Sequence, residues 1–138
     1  MRKYMRGVTL TELMIVVVIV SILSMVAYPN YRQFAARAKR NEAKSCLLQV
    51  AALQERFYLT NNTYTSNMTN LGFAAVGANV TDSGSYSCNV TSADANNFTA
   101  VANYLNADDE ASKCGTFGID GRGNKTSAPY TDCWTRSR

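Results

Sequence analysis

Four cysteines are the residues of this 138-residue sequence best suited to covalent chemistry. Their separations of 42, 26 and 19 positions fit no compact metal-binding motif, and an even count in an exported domain favours disulfides. Three pairings are possible. We favour Cys114 with Cys133, which closes the C-terminal segment, and hence Cys46 with Cys88, which ties a helix to a sheet. The part of the chain that could form a globular domain is small, and such cross-links would stabilise it.

Other catalytic and metal-binding chemistry has little support in the sequence. It contains no histidine, so serine and cysteine triads lack their usual base, and zinc, iron and copper sites lack their commonest ligand. The carboxylates Asp108, Asp109, Glu110 and Asp120 form no ordered calcium motif. The sequence therefore predicts a protein that is not an enzyme and holds no metal or cofactor.

One carboxylate stands where a carboxylate is costly. Glu12 begins an apolar segment whose next nineteen residues, 13–31, carry no charge, which is long enough to cross a membrane. The preceding leader is basic, as expected for the cytoplasmic side. A secretory signal peptide, cleaved after Ala27, is the competing interpretation, but a disposable leader has no use for Glu12. Without the leader, 11 basic and 10 acidic side chains remain. The basic isoelectric point of the whole sequence therefore comes mainly from the leader and does not indicate a nucleic-acid partner.

The residues around this carboxylate resemble a known family. Gly7-Val8-Thr9-Leu10-Thr11-Glu12-Leu13-Met14-Ile15-Val16-Val17-Val18, with Tyr28-Pro29 at the end of the apolar run, closely resembles the prepilin signature of type IV pilins. The resemblance implies that prepilin peptidase cuts between Gly7 and Val8 and methylates the amine of Val8. It further implies that Glu12 neutralises the amine of a neighbouring subunit and sets the stagger between subunits during assembly.

An amphipathic helix is predicted beyond Pro29, which is expected to act in assembly together with Glu12 and which bends the helix without necessarily ending it. Apolar residues recur at steps of three and four as far as Leu59, and Thr60-Asn61-Asn62-Thr63 favours a turn. We expect the Arg37-Ala38-Lys39-Arg40 cluster to lie on non-core faces. There it would be solvated or pair with Asp108, Asp109 and Glu110 of a neighbouring subunit. Membrane-surface and nucleic-acid contacts are the alternatives for this cluster.

The C-terminal part has the alternation typical of antiparallel strands. Strands are predicted at 85–90, 97–104 and 115–119, with a possible fourth at Lys125-Thr126 after the Asp120-Gly121 turn. The segment 60–84 is predicted to be an exposed loop. The fold class is therefore α+β, with a long N-terminal helix whose amphipathic half packs on a three- or four-stranded antiparallel sheet. The chain is therefore predicted to consist of four segments: leader 1–7, transmembrane and assembly helix 8–30, amphipathic helix 31–59 and globular head 60–138.

The head is also similar to that of small four-cysteine type IV pilins. The resemblance rests on Arg56-Phe57-Tyr58-Leu59, Asn62-Thr63-Tyr64, Cys114-Gly115-Thr116-Phe117 and Cys133-Trp134. It implies that Cys114 and Cys133 bound an exposed C-terminal loop used for adhesion or recognition. Trp134 has a purely structural alternative, covering the edge of the sheet. The candidate DNA-binding or surface-binding residues are Lys113, Arg122, Lys125, Tyr130, Trp134, Arg136 and Arg138, with the two aromatic rings available to stack on bases.

These features together predict the structural subunit of a type IV pilus that serves adhesion, twitching motility or DNA uptake. Its expected partners are other pilin subunits, prepilin peptidase, the inner-membrane assembly machinery, membrane lipid before assembly, and DNA or host surfaces. It would cross the inner membrane once before assembly and then become extracellular. The alternatives are a minor pilin that acts as a DNA receptor in natural transformation and a type II secretion pseudopilin.

Overall fold

The structure is a computed structural model that describes residues 7–74 and 79–136. Most of the basic leader, residues 1–6, and Arg138 of the candidate binding set lie outside the described residues. The chain divides into two compact units, Met1–Ala35 and Ala36–Arg138.

The first unit consists of the beginning of the long helix α1 (Leu10–Asn61) and the residues before it. Val, Ile, Leu and Met supply most of the side chains of this part of the helix as far as Val26, and all of them are exposed. By length and composition α1 could cross a membrane, and none of its most apolar window is buried within the protein. Pro29 lies inside the helix, as the sequence analysis expected. An apolar helix without a buried face requires lipid or another protein to cover it.

The second unit begins on the amphipathic part of α1, which buries one face. Ala43, Leu47 and Val50 have no solvent exposure, and they recur at the spacing of one helical stripe. Gln54 lies on the same stripe, and its side-chain oxygen accepts a hydrogen bond from the backbone N–H of Thr65 (3.0 Å). The helix ends at Asn61, two residues later than predicted.

Four antiparallel strands form one sheet in chain order. They are β1 (Tyr86–Ala93), β2 (Phe98–Tyr104), β3 (Thr116–Asp120) and β4 (Lys125–Ala128), and the short helix α2 (Ala111–Cys114) precedes β3. The predicted fourth strand is therefore confirmed and is longer than expected. The pairing of β1 with β2 shifts between Val90 and Ser92, where Thr91 forms an irregularity. Strand β4 lies at the edge of the sheet.

The core lies between α1 and one face of the sheet. Tyr86, Phe98 and Phe117 supply its largest side chains, all 2% exposed or less. The hydroxyl of Tyr86 donates to the backbone oxygen of Cys114 at 2.7 Å, and burial raises the pKa of this phenol. The α+β fold with a long helix on an antiparallel sheet is confirmed, and its buried aromatic cluster gives the small head a continuous core.

The prediction of an exposed loop over 60–84 is wrong in part. A 3₁₀ helix spans Met68–Leu71, and the side chains of both end residues are buried in the core. Asn67 caps this turn by accepting from the N–H of Thr69 at 3.0 Å, and Gly72 ends it with a left-handed backbone, φ 85°. Two isolated apolar residues among turn-forming neighbours give too weak a periodic signal to predict the element.

Candidate functional site

Three of the predicted processing and assembly residues, Gly7, Val8 and Glu12, lie at the start of α1, whereas Pro29 lies within the helix. Gly7 and Val8 precede the helix, and Val8 is 71% exposed. Thr9 occupies the capping position, and its hydroxyl accepts from the N–H of Glu12 (3.3 Å). The Glu12 carboxylate in turn accepts from the N–H and hydroxyl of Thr9, at 3.0 and 2.9 Å. This reciprocal arrangement is a capping box, so the carboxylate that would contact another subunit already has donors within its own chain.

The basic cluster on α1 matches the sequence interpretation at Arg37, which is exposed, but not at Arg40. Arg40 is buried at 4% exposure and pairs with Glu110 of the same chain. The guanidinium contacts the carboxylate through Nε and through Nη2, the latter at 2.8 Å from Oε2. The expectation that Arg40 lies on a non-core face, to pair with Glu110 of a neighbour, is therefore wrong. The arginine lies on the stripe that faces the head, where a charged residue requires a partner.

Lys39 also finds its partners within the chain. Its ammonium donates to the hydroxyl of Tyr104 (3.1 Å) and lies 3.7 Å from the carboxylate of Asp108. The Tyr104 hydroxyl donates to the same carboxylate at 2.8 Å. The hydrogen bond to Tyr104 is the main reason why the pKa of Lys39 is raised. The predicted pairing of this lysine with Asp108 of a neighbour is therefore replaced by a contact within one subunit.

The two disulfides hold the head together at different places. Cys46 on α1 is bonded to Cys88 on β1, and Cys114 at the end of α2 is bonded to Cys133. These are the two pairs that the sequence analysis favoured. The first joins the helix to the sheet, and the second closes the C-terminal segment against the element that precedes β3.

The closed C-terminal segment runs beside the edge strand β4. Trp134 donates its indole N–H to the backbone oxygen of Thr126 in β4 (2.7 Å), and its ring meets Phe117 edge-on with centroids 5.7 Å apart. The ammonium of Lys125 lies 5.1 Å from the centroid of the Trp134 ring. Trp134 therefore covers the sheet edge, and its indole N–H is already hydrogen-bonded within the head. Because a lysine approaches its ring, the tryptophan positions a cation and offers less surface for a base to stack on.

Tyr130 is arranged in a similar way. Its ring is 43% exposed and lies 4.6 Å from the guanidinium carbon of Arg136. Arg136 is also 3.5 Å from the carboxylate of Asp132, four residues earlier. The backbone N–H of Tyr130 donates to the oxygen of Lys113 (3.0 Å), which brings the exposed Lys113 next to this turn. Two pairs of a cation and an aromatic ring therefore lie on one short segment.

Arg122 lies apart from this turn. It occupies the exposed β3–β4 connection, and its backbone N–H donates to the carboxylate of Asp120 (3.0 Å). Two hydrogen bonds from Asn124 to the same carboxylate also tighten the connection, and the bond from its side chain is the main cause of the lowered pKa of Asp120. The connection leads directly into β4 at Lys125, so Arg122 and Lys125 lie close together in the sequence at this end of the edge strand.

Sequence reasoning missed two residues that hold this segment. Lys44 on α1 donates to the backbone oxygen of Trp134 (3.0 Å), and burial is the main cause of its lowered pKa. The hydroxyl of Ser127 donates to the oxygen of Tyr130 (2.7 Å) and accepts from the N–H of Cys133 (3.2 Å). No sequence pattern identifies either residue. Lys44 contacts a backbone oxygen ninety positions later in the sequence, and Ser127 contacts the backbone of an irregular turn. Across residues 7–74 and 79–136, no group of three or more potential ligands could hold a metal ion.

Comparison with known protein families finds matches for the chain from residue 2 to residue 118. Residues 2–28 match the prokaryotic N-terminal methylation motif, and residues 29–118 match the family described as type IV minor pilin ComP, DNA uptake sequence receptor. The chain belongs to the type IV pilins. Of the candidate DNA-binding residues, only Lys113 lies within the matched range, so the β4 and C-terminal residues lie beyond it.

Individual relatives agree with this family. The chain is 35% identical over 102 residues to the type IV wide pilus major component PilA4 of Thermus thermophilus, covering 72% of this chain and 73% of that protein. It is 44% identical over 69 residues to the type IV major pilin protein PilA of Myxococcus xanthus, covering 50% of this chain but only 31% of that relative. The chain thus spans about a third of one relative and nearly three quarters of the other.

A solved structure supports the fold. The non-core minor pilin PilV of Neisseria meningitidis superposes with a TM-score of 0.52 at 16% identity, covering 70% of this chain and 89% of that one. At this identity the likeness concerns the fold alone. The helix and sheet described above are therefore those of a type IV pilin.

Proposed function

We propose that this pilin is made as a membrane-held precursor, cut by prepilin peptidase between Gly7 and Val8, methylated on Val8 and polymerised into an extracellular filament. Inner-membrane assembly machinery would carry out the last step. The match of residues 2–28 to the methylation motif is the observation that carries this proposal. The exposed apolar part of α1 supports it, because such a surface would be covered first by lipid and then by other subunits.

Glu12 is the residue on which polymerisation would depend. In a bundle of apolar helices its carboxylate would meet the methylated amine of a neighbouring Val8, and a charge in an apolar surrounding needs such a partner. Glu12→Leu should leave membrane insertion intact and strongly reduce filament yield, measured by shearing filaments from cells. The matched control is Glu55→Leu, an exposed glutamate on the same helix. Normal filament yield from Glu12→Leu would overturn this role.

The matched family favours recognition of DNA as a second function, because its description names a DNA uptake sequence receptor. In this chain the contacts would come from Lys125 and Arg136, each of which lies over an aromatic ring, together with Lys113 and Arg122. Since the rings of Trp134 and Tyr130 already carry these cations, we expect contacts to phosphates more than stacking on bases. This mode of binding follows from counterion release and depends steeply on salt.

Salt dependence gives the test. Affinity of the purified oxidised protein for duplex DNA is measured over a range of salt concentrations. Lys125→Ala and Arg136→Ala should each weaken binding and reduce the slope of log affinity against log salt by about 0.9 for each phosphate that is no longer neutralised. Arg56→Ala removes an exposed arginine of α1 and should leave the slope unchanged. Equal slopes for all three variants would remove the DNA-receptor proposal but not the structural role.

A further inference from the structure

Three aromatic side chains lie exposed along α1 where the uncharged run ends. Tyr28, Tyr31 and Phe34 are 66%, 71% and 68% exposed, and all belong to the first unit. Their spacing of three residues places them within about 120° of the helix circumference, since each residue turns the helix by about 100°. They form a stripe, which we call the aromatic stripe. It includes none of the processing residues and none of the candidate DNA-binding residues.

The nearest charges locate this stripe relative to a bilayer. Glu12 and Arg32 are the charged residues at the two ends of the uncharged run, and Arg32 lies twenty residue steps after Glu12 in the same helix. At 1.5 Å per residue this separation is about 30 Å, the thickness of the hydrocarbon core. Both charges are unfavourable inside hydrocarbon, so each would lie close to one boundary. The stripe therefore straddles the boundary marked by Arg32.

The chemistry of these side chains suits that boundary. Tyrosine has an apolar ring and a hydroxyl that can reach water or a lipid head group, and tyrosine is enriched where membranes meet water. Phe34 adds an apolar ring just beyond the arginine, and the long side chain of Arg32 can extend towards lipid phosphates. Apolar residues make up the run before Tyr28 except at Ser21 and Ser24, whose hydroxyls donate to backbone oxygens of the same helix, as suits the hydrocarbon region.

We infer that Tyr28, Tyr31 and Phe34 form an interfacial belt that binds the phospholipid head-group region and sets the depth of the precursor in the membrane. The belt lies on the side away from the basic leader. The inference rests on the membrane-held precursor proposed above and adds to it a specific lipid-binding surface with a specific depth.

Tryptophan fluorescence can measure that depth. Full-length precursor is reconstituted in vesicles of phosphatidylethanolamine and phosphatidylglycerol that contain lipids brominated either near the head group or near the end of the acyl chain. The wild-type chain has a single tryptophan, Trp134, which supplies the baseline emission. Tyr31→Trp and Phe34→Trp probe the stripe. Met25→Trp probes the apolar run, and Leu59→Trp, at an 84% exposed site near the end of α1, probes the aqueous side.

The lipids brominated near the head group should remove roughly half of the added emission of Tyr31→Trp and Phe34→Trp, as expected for aromatic rings at the interface. Met25→Trp should be quenched more by the deeper bromine, and Leu59→Trp by neither. If the wild-type chain is extracted from vesicles by alkaline carbonate, the membrane-held precursor itself is contradicted. If the wild-type chain stays inserted but both stripe probes are unquenched, or are quenched more by the deep bromine, the belt alone is overturned.

Discussion

Arg40 on α1 and Glu110 before α2 form an ion pair in which both side chains are almost completely buried, with 5% and 7% of their surfaces exposed. Two guanidinium nitrogens contact the two carboxylate oxygens. The pair joins the amphipathic helix to the segment that leads through Cys114 into β3. Within the head it therefore fixes the element from which the C-terminal disulfide starts.

Removing one member of this pair should be strongly destabilising. Glu110→Ala leaves the guanidinium of Arg40 buried without its carboxylate, and the free energy of unfolding should fall by about 3–5 kcal/mol in urea titrations of the oxidised protein. Lys39→Met removes the more exposed contact to Asp108 and should lower stability by about 1 kcal/mol or less. Equal losses of unfolding free energy from the two variants would show that the buried pair contributes no more to stability than the more exposed pair.

Ser83 should control an acid-dependent part of the stability. Its hydroxyl and N–H donate to the carboxylate of Glu42 at 2.6 and 3.1 Å, and the hydroxyl is the main cause of the lowered pKa of Glu42. A folded-state pKa below the unfolded value of about 4.3 stabilises the fold above that value, and this stabilisation is lost as the pH falls through the folded pKa. Ser83→Ala should therefore lower the melting temperature at pH 7.

The same Ser83 variant supplies its own control at low pH. Below both pKa values Glu42 is protonated in the folded and unfolded states, so the ionic contribution disappears. The difference in melting temperature between wild type and Ser83→Ala should consequently be smaller at about pH 2 than at pH 7. A difference that stays constant over this range would mean that the Glu42 contact contributes no proton-linked stability.

The two disulfides should differ in their contribution to stability. They close segments with sequence separations of 42 and 19 residues. By loop entropy, replacing Cys46 and Cys88 with alanine should lower the free energy of unfolding by about 4 kcal/mol, and replacing Cys114 and Cys133 by about 3 kcal/mol. Denaturant unfolding of the double variants measures both. A larger loss from the shorter loop would contradict the entropic ordering.

The shorter disulfide should matter more for binding, because it holds the segment with Tyr130 and Trp134. If this pilin binds DNA, the Cys114→Ala, Cys133→Ala variant should lose affinity while it remains folded. The Cys46→Ala, Cys88→Ala variant, studied below its melting temperature, should keep more of the affinity. Circular dichroism establishes folding in each case. Equal affinities for both variants would place the binding surface away from the C-terminal segment.

Thr9 should support the start of the helix. Thr9→Val removes the hydroxyl that accepts from the N–H of Glu12 and donates to its carboxylate, and loss of a capping residue weakens a helix by about 1 kcal/mol. We expect faster amide hydrogen exchange over residues 10–13 in detergent micelles. Thr9→Ser preserves the hydroxyl and should resemble the wild type. Unchanged exchange in Thr9→Val would remove the capping role.

Sequence patterns predict the elements that have a strong period or a distinctive motif. The uncharged run and the signature around Glu12 indicate the helix and the family, and alternation around Tyr86, Phe98 and Phe117 indicates the sheet. The 3₁₀ helix at Met68–Leu71 escapes prediction because its two buried residues lie within one short turn of an otherwise polar segment. Periodicity requires a longer stretch than that.

Charged residues are the main source of error. The charge of Arg40 alone favours a solvated or intersubunit face, but the residue lies on the buried stripe because Glu110, seventy residues later, is brought to it by the fold. In the same way, the sequence offers Trp134 and Tyr130 for stacking on bases, with covering of the sheet edge as the alternative for Trp134, and it gives no sign that Lys125 and Arg136 approach the two rings. Such long-range pairs leave no local pattern in a single sequence.

The central claim, that this chain is a processed pilus subunit, is tested most directly by the intact mass of filaments sheared from the cells that produce it. A processed subunit would give a species that begins at methylated Val8 and has all four cysteines oxidised. Its abundance would also distinguish a major from a minor subunit. A soluble product that begins at Tyr28, as expected for a cleaved secretory signal, would show that the chain is not a processed pilus subunit.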